Sequence, residues 1–102
     1  MAPELIWSDE ALDDIDGIAR FIARDSLHHA KRVVAGLFEL SDEIVEQPMS
    51  GRVVPEYGRV EVRERFLYSY RLIYEIGSER IDILAVIHGQ RLLASIGERF
   101  EK

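Results

Sequence analysis

The sequence of 102 residues contains no cysteine, only three prolines and no apolar run of the roughly 18 residues that a membrane-spanning helix needs. The absence of cysteine excludes disulfides and thiolate metal sites. The opening residues, Met1 to Glu4, lack the basic and apolar regions of a secretory signal peptide. We therefore expect a soluble, cytoplasmic protein in which residues 1–102 form a single domain around one hydrophobic core.

Lysine is scarce in the second half of the chain, and the net charge of −6 is unevenly distributed. Residues 1–50 contain eleven acids and four bases, whereas residues 51–102 contain eight acids and nine bases. Every base from residue 51 to residue 99 is arginine, whose planar guanidinium suits carboxylate and phosphate. An acidic total is not typical of nucleic-acid-binding proteins. We predict no direct sequence-specific DNA binding, although the arginine-rich half could recognise an anion locally.

The first half of the sequence has the pattern of two amphipathic helices. Ser8 is a suitable N-cap, and apolar residues from Leu12 to Ile22 recur at helical spacing. Ser26 can cap the second helix, which should end before Pro48 because a residue that precedes proline is disfavoured in the α region. The predicted elements are a strand at residues 4–7 and helices at about residues 9–24 and 27–46. The two helices should form a hairpin.

The second half predicts an antiparallel meander of three strands. Its runs are Val60–Leu67, Tyr68–Ile76 and Glu79–His88, all rich in β-branched and aromatic residues. Gly77-Ser78 supplies the turn between the last two runs. A further turn of helix is expected near Leu92 to Ile96. The fold class is therefore α+β, with the order β-α-α-β-β-β and a small, mainly antiparallel sheet packed on the helical hairpin.

Alternation of side chains along the strands predicts two different sheet faces. One face should be nearly all apolar, with Tyr68, Tyr70 and Tyr74 as core residues, and it should pack against the helices. The other face should mix cationic and apolar side chains and serve as a binding surface. Its predicted members are Arg63, Arg65, Arg71, Ile73, Leu84, Val86 and His88.

Five short motifs follow the helical hairpin, which is opened by Ile6-Trp7-Ser8. They are Gly51-Arg52, Pro55-Glu56, Val62-Arg63-Glu64, Tyr70-Arg71-Leu72-Ile73-Tyr74 and Val86-Ile87-His88-Gly89. In this order and spacing the chain resembles the RelE/ParE superfamily of toxins from bacterial type II toxin–antitoxin pairs. It looks most like the ParE branch, over Leu5 to about Leu93.

The resemblance implies a fold with the helical hairpin on one sheet face, and it implies partners. A ParD-like antitoxin encoded by an adjacent gene would wrap the toxin in a hetero-oligomeric complex, with DNA gyrase as the target. The chain would then be a protein inhibitor rather than an enzyme, without cofactor or metal ion. We expect the antitoxin or the target to bind the mixed face defined above.

The resemblance leaves a second function open, which is cleavage of mRNA in the ribosome by RelE-like or YoeB-like members. Glu56 and His88 would then act as base and acid, and Arg71 with Arg63 and Arg65 would hold the phosphate. Glu56, Arg71 and His88 fall near positions that YoeB-like nucleases use. The chain lacks the lysines of RelE-like members, and Gly89 stands where YoeB-like members have tyrosine.

Two further alternatives are structural. Arg71 could pair with Glu56 or Glu64 rather than with a ligand, and His88 could be a hydrogen-bonded residue at the end of a strand. The whole chain could also be an inactive module that keeps only the fold and the antitoxin contact.

Overall fold

A computed structural model describes residues 2–89. The elements are β1 (Glu4–Trp7), α1 (Asp9–Ala23), α2 (Leu27–Glu46), a 3₁₀ turn (Pro48–Ser50), β2 (Arg52–Val53), β3 (Val62–Leu67), β4 (Tyr70–Ile76) and β5 (Arg80–His88). The α+β fold is confirmed, with the two helices packed on a five-stranded mixed sheet. Strand β2 lies between the predicted second helix and the predicted meander, where the sequence predicts no element. The helical turn expected near residues 92–96 lies outside the described residues.

Both helices begin where the sequence predicts, because serine caps them. The Ser8 hydroxyl accepts a hydrogen bond from Ala11 N at 3.0 Å, and the Ser26 hydroxyl accepts one from His29 N at 3.0 Å. Helix α1 ends at Ala23, one residue before the predicted end. Within residues 2–89, neither helix is long and apolar enough to cross a membrane.

The sheet has the strand order β1-β5-β4-β3-β2. Strand β1 runs parallel to β5, and every other neighbouring pair is antiparallel. Ser8 ties the start of α1 to this sheet, because its backbone N–H donates to Ile83 O at 3.1 Å. The helical hairpin is thereby fixed against one sheet face.

Each sheet face carries its own buried cluster. The helix-side cluster joins both helices to the sheet and contains Ala11, Ile15, Val33, Leu37, Leu40, Ile44, Leu72, Tyr74, Ile81, Ile83 and Val86. The outer cluster lies on the opposite face and contains Val54, Val62, Ile73, Leu84, Ala85 and Ile87. Strand β4 lies between the two clusters and is buried on both faces from Arg71 to Tyr74.

The predicted face of β3 is wrong. Arg63 pairs with Tyr74 and Arg65 pairs with Leu72, so both arginines lie on the helix side of the sheet. Glu64, directly opposite Ile73, lies instead on the outer face, and Phe66 shares that face. The error follows from register, since a shift of one residue moves a whole strand's side chains to the other face.

A β-bulge in β5 reverses the predicted face of the strand's last residues. Ile73 pairs with Ala85 and Tyr74 pairs with Ile83, which leaves Leu84 as an extra residue between them. Val86 consequently belongs to the helix-side cluster, whereas the sequence predicts it on the mixed face. His88 pairs with Tyr70 and is displaced to the helix side in the same way.

The three apolar members of the predicted mixed face are buried. Ile73, Leu84 and Val86 are 0%, 6% and 2% exposed, so they do not form an open patch. Tyr68 departs from the prediction in the opposite sense, because it is 62% exposed rather than part of the core. It occupies the turn between β3 and β4 with φ of 53°.

Candidate functional site

The outer face contains a carboxylate that two arginines share. The Glu64 side chain is fully buried and accepts hydrogen bonds from the guanidinium of Arg71, with Nε 2.8 Å from Oε1. Its other oxygen, Oε2, accepts from Nε of Arg52 at 2.5 Å. Strand pairing creates this arrangement, because Arg52 lies directly opposite Glu64 in the β2–β3 ladder.

Arg71 also holds a second carboxylate. Its two terminal nitrogens lie 3.3 Å from the two oxygens of Glu56 in a bidentate pair. The hydrogen bonds from Arg71 hold the pKa of the Glu56 carboxyl below its usual value, against a smaller opposing effect of burial. The alternative in which Arg71 pairs with Glu56 and Glu64 is therefore confirmed. An ionised carboxylate stabilised in this way is a weak proton acceptor.

The ring of Phe66 packs against the guanidinium groups of both Arg52 and Arg71. The guanidinium carbon of Arg52 lies 5.5 Å from the ring centroid and that of Arg71 lies 6.0 Å from it, within the range of cation–π contacts. Phe66 nevertheless remains 47% exposed. We use the term anchored-arginine site for Arg52, Glu56, Glu64, Phe66 and Arg71.

Arg63 and Arg65 do not belong to this site. Arg63 donates to the carbonyl oxygens of Val60 and Gly51, both at 2.9 Å, and thereby fastens two loop segments. Arg65 reaches Ser50 Oγ at 3.0 Å and the α2 carboxylate of Glu43 at 3.2 Å. Both guanidiniums thus connect β3 to the loop after α2.

The side chain of His88 lies on the opposite face of the sheet from the anchored-arginine site. Its ring contacts that of Tyr70 edge-on, with centroids 5.9 Å apart, and both side chains belong to the helix side of the sheet. A recess there is lined by His88 together with residues of α1 that include Asp13 and Phe21. Glu56, which binds Arg71, lies on the outer face. The structure therefore brings together Glu56 and Arg71 but not His88.

The outer side of the helical hairpin carries a shallow apolar groove. Its lining consists of Ala19, Arg20, Ala23, Leu27, Ala30, Lys31, Val34 and Ala35. Leu27 is 61% exposed, and Arg20 and Lys31 are the basic residues of a lining that is otherwise aliphatic. Its volume is about 420 Å³. The groove could not be predicted from the sequence, because its alanines have no chemical signature of their own.

Sequence reasoning also left Arg52 and Phe66 out of the candidate site residues. The Gly51-Arg52 motif was the available signal for Arg52, but its two-residue strand and its buried partner depend on pairing across the sheet. In residues 2–89, no group of three or more histidine, aspartate or glutamate side chains is placed to hold a metal ion.

Residues 5–93 match the family described as the ParE toxin of the type II toxin–antitoxin system parDE. The chain belongs to the ParE toxin family. A relative in Sinorhizobium fredii (strain NBRC 101917 / NGR234), which bears the name "Putative toxin Y4kP", is 35% identical over 88 residues. That match covers 83% of this chain and 86% of the relative.

Solved structures show the same fold at low sequence identity. A chain of the chromosomal ParDE toxin–antitoxin system from P. aeruginosa has a TM-score of 0.71 at 19% identity, covering 85% of this ParE-family toxin and 96% of that chain. A chain of the RelBE2 toxin–antitoxin complex from Mycobacterium tuberculosis has a TM-score of 0.65 at 17% identity, and the match covers 86% of this chain and 99% of that chain. A mutant of the E. coli toxin RelE in the free state has a TM-score of 0.65 at 19% identity, and the match covers 98% of this chain and 92% of that chain.

Proposed function

We propose that this type II toxin arrests growth in the cytoplasm as a protein inhibitor of DNA gyrase, without cofactor or catalysis of its own. The ParE family assignment over residues 5–93 supports this target, since ParE-like toxins act on gyrase. The likeness to a chain of a ParDE system supports a ParD-like antitoxin, encoded by an adjacent gene, as the neutralising partner.

The non-enzymatic part of the proposal rests on one observation: Glu56 and His88 lie on opposite faces of the sheet. A metal-free ribonuclease needs a base and an acid that reach the same phosphate. Here Glu56 lies with Arg71 on the outer face, and His88 lies with Tyr70 on the helix side. Glu56 is moreover a poor base, because Arg71 stabilises its ionised form.

A ribosome-dependent mRNA endonuclease is the second candidate. The observation in its favour is that Arg71 and Glu56 are adjacent at the outer face, as the nuclease mechanism would require of two of its three residues. The likeness to RelE toxins is consistent with the same fold serving either activity.

Purified toxin tested on gyrase decides between these candidates. We expect the toxin, released from its antitoxin and refolded, to block supercoiling of relaxed plasmid and to trap cleaved DNA on gyrase. Glu56→Gln and His88→Ala should retain this activity. Absence of any effect on gyrase, together with cut mRNA in a translating extract, would instead establish the nuclease. Expression without growth arrest in cells lacking the antitoxin would identify an inactive antitoxin-binding module.

The apolar groove of the helical hairpin is our proposed antitoxin contact. Of the surface predicted from sequence, Ile73, Leu84 and Val86 are buried, whereas His88 remains exposed. The groove combines small apolar side chains with the basic residues Arg20 and Lys31. An amphipathic helix with acidic residues along its rim fits both properties.

A further inference from the structure

Arg52 differs from Arg71 because it is both anchored and accessible. Its Nε is fixed by the buried carboxylate of Glu64, and its side chain is 64% exposed. Arg71, bound to the same carboxylate, is only 7% exposed. No described residue accepts a hydrogen bond from the two terminal nitrogens of Arg52. Within residues 2–89, those nitrogens therefore present an edge that suits bidentate contact with an oxyanion.

Phe66 restricts the orientation of this guanidinium. The guanidinium carbon of Arg52 lies 5.5 Å from the centroid of the Phe66 ring, and Nε of Arg52 binds Glu64. The guanidinium is therefore held both by a hydrogen bond and by a cation–π contact. Such prior ordering lowers the entropy lost when a ligand binds. A lone surface arginine would instead have to be immobilised from many rotamers.

The surroundings favour a carboxylate on a protein over a phosphate on a nucleic acid. The chain has a net charge of −6, and Glu56 adds an ionised carboxylate close to Arg52, so a polyanion would be repelled. The exposed ring of Phe66 beside an arginine is the residue combination typical of energetic centres in protein interfaces.

We infer that Arg52, ordered by Glu64 and Phe66, is a contact through which the toxin binds an aspartate or glutamate side chain of its protein target. The inference rests on the proposed function to the extent that the target is a protein. It assigns target recognition to the outer face and leaves the helical groove to the antitoxin.

Arg52→Ala and Arg52→Lys test this contact, with Arg80→Ala as the matched control. Arg80 is also an exposed arginine whose Nε binds a carboxylate, at 3.2 Å from Asp82 Oδ2, but it lies at the start of β5. Each variant is expressed from an inducible promoter in cells lacking the antitoxin. Thermal melting of each purified variant confirms that it is folded.

We expect Arg52→Ala to raise the inducer concentration needed for growth arrest by about tenfold or more, as for a central interface residue. Arg52→Lys should recover little of the loss, because an ammonium group cannot make a planar bidentate contact. Arg80→Ala should behave as wild type, and all three should still co-purify with the antitoxin. Phe66→Leu should weaken toxicity less than Arg52→Ala, because it keeps an apolar neighbour but loses the ring.

Three results would overturn the inference. A folded Arg52→Ala variant with full toxicity would exclude the contact, and loss of antitoxin binding with toxicity retained would assign Arg52 to the antitoxin. Affinity for a labelled duplex DNA is measured by fluorescence anisotropy. If Arg52→Ala lowers that affinity, the group that Arg52 binds is a phosphate rather than a carboxylate. Because growth arrest does not depend on which protein is attacked, a toxin inactive on purified gyrase refutes the gyrase proposal and leaves this test intact.

Discussion

Gly51 and Tyr74 are in contact through the tyrosine hydroxyl, which accepts a hydrogen bond from the Gly51 N–H at 3.0 Å. The same hydroxyl donates to Pro48 O at 2.6 Å. Burial raises the pKa of Tyr74, so this hydroxyl remains a donor over the physiological range. One core side chain of β4 thereby fixes the segment that leads into Arg52.

We predict that Gly51→Ala destabilises the protein by about 1–3 kcal/mol, as expected of overpacking. A Cβ at Gly51 would lie 2.5 Å from Tyr74 Oη and 2.7 Å from Glu64 O, and the second atom is backbone. Gly17→Ala is the control, because nothing lies within 4 Å of a Cβ there and the residue is inside α1. It should stabilise by roughly 0.5–1 kcal/mol. Urea denaturation measures both, and equal stability of the two variants would contradict the packing argument.

We predict that Tyr68→Asn stabilises the protein by about 0.5–1 kcal/mol, because it relieves part of the cost of a positive φ. Tyr68 is the first residue of a two-residue hairpin loop and takes φ of 53°, a conformation that asparagine adopts more readily than tyrosine. Tyr68→Phe keeps both the backbone strain and the ring contact with His29, so its stability should match wild type. If the asparagine variant melts below the phenylalanine variant, the contact with His29 outweighs the strain.

Ala23→Glu should weaken antitoxin binding by about tenfold or more while leaving growth arrest unchanged. Ala23 is exposed and lies in the apolar groove, where a carboxylate would meet the acidic rim that we expect on the antitoxin helix. Asp42→Ala, which lies in α2 and does not line the groove, serves as a control for surface charge. Calorimetry with the purified antitoxin gives the affinities, and an unchanged value for Ala23→Glu would place the antitoxin elsewhere.

The pair between Glu56 and Arg71 should make stability depend on pH at the acid end. Because the pKa of Glu56 is lowered from 4.5 on folding, its contribution is present above that value and is lost as the pH falls through the folded pKa. Glu56→Gln should therefore be less stable than wild type near neutral pH, and the difference should narrow on acidification. Denaturation at about pH 7 and at about pH 3.5 tests this sign; a difference that widens in acid would refute it.

The helices could be predicted closely because their limits are set by local chemistry. Ser8 and Ser26 satisfy the first backbone donors of α1 and α2, and Pro48 follows the end of α2 at Glu46. Such signals depend on neighbours within a few residues, all visible in the sequence. The strands of the meander were located for the same reason, from runs of β-branched and aromatic residues.

The faces of β3 and of the end of β5 could not be predicted because they depend on register between strands, whereas alternation along β4 correctly predicts Arg71 and Ile73 on the outer face. The hydrophobicity of Val62 is compatible with either face; it is buried in the outer cluster, and Arg63 lies on the helix side. The bulge at Leu84 could not be predicted, because no glycine or proline in β5 marks its position. The full burial of Glu64 could not be predicted either. The cost of burying its charge is offset only by the pairing with Arg52 and Arg71, which lie on other strands.

Because of the bulge at Leu84, the fold depends on the number of residues in β5 as well as on which residues they are. The strand supplies Ile81 and Ile83 to one core and Ala85 and Ile87 to the other only because of the unmatched residue between them. Removing that residue would exchange the two sets downstream and bring Ile87 beneath the helices. Conservative substitutions along this strand should thus be tolerated far better than a single-codon deletion.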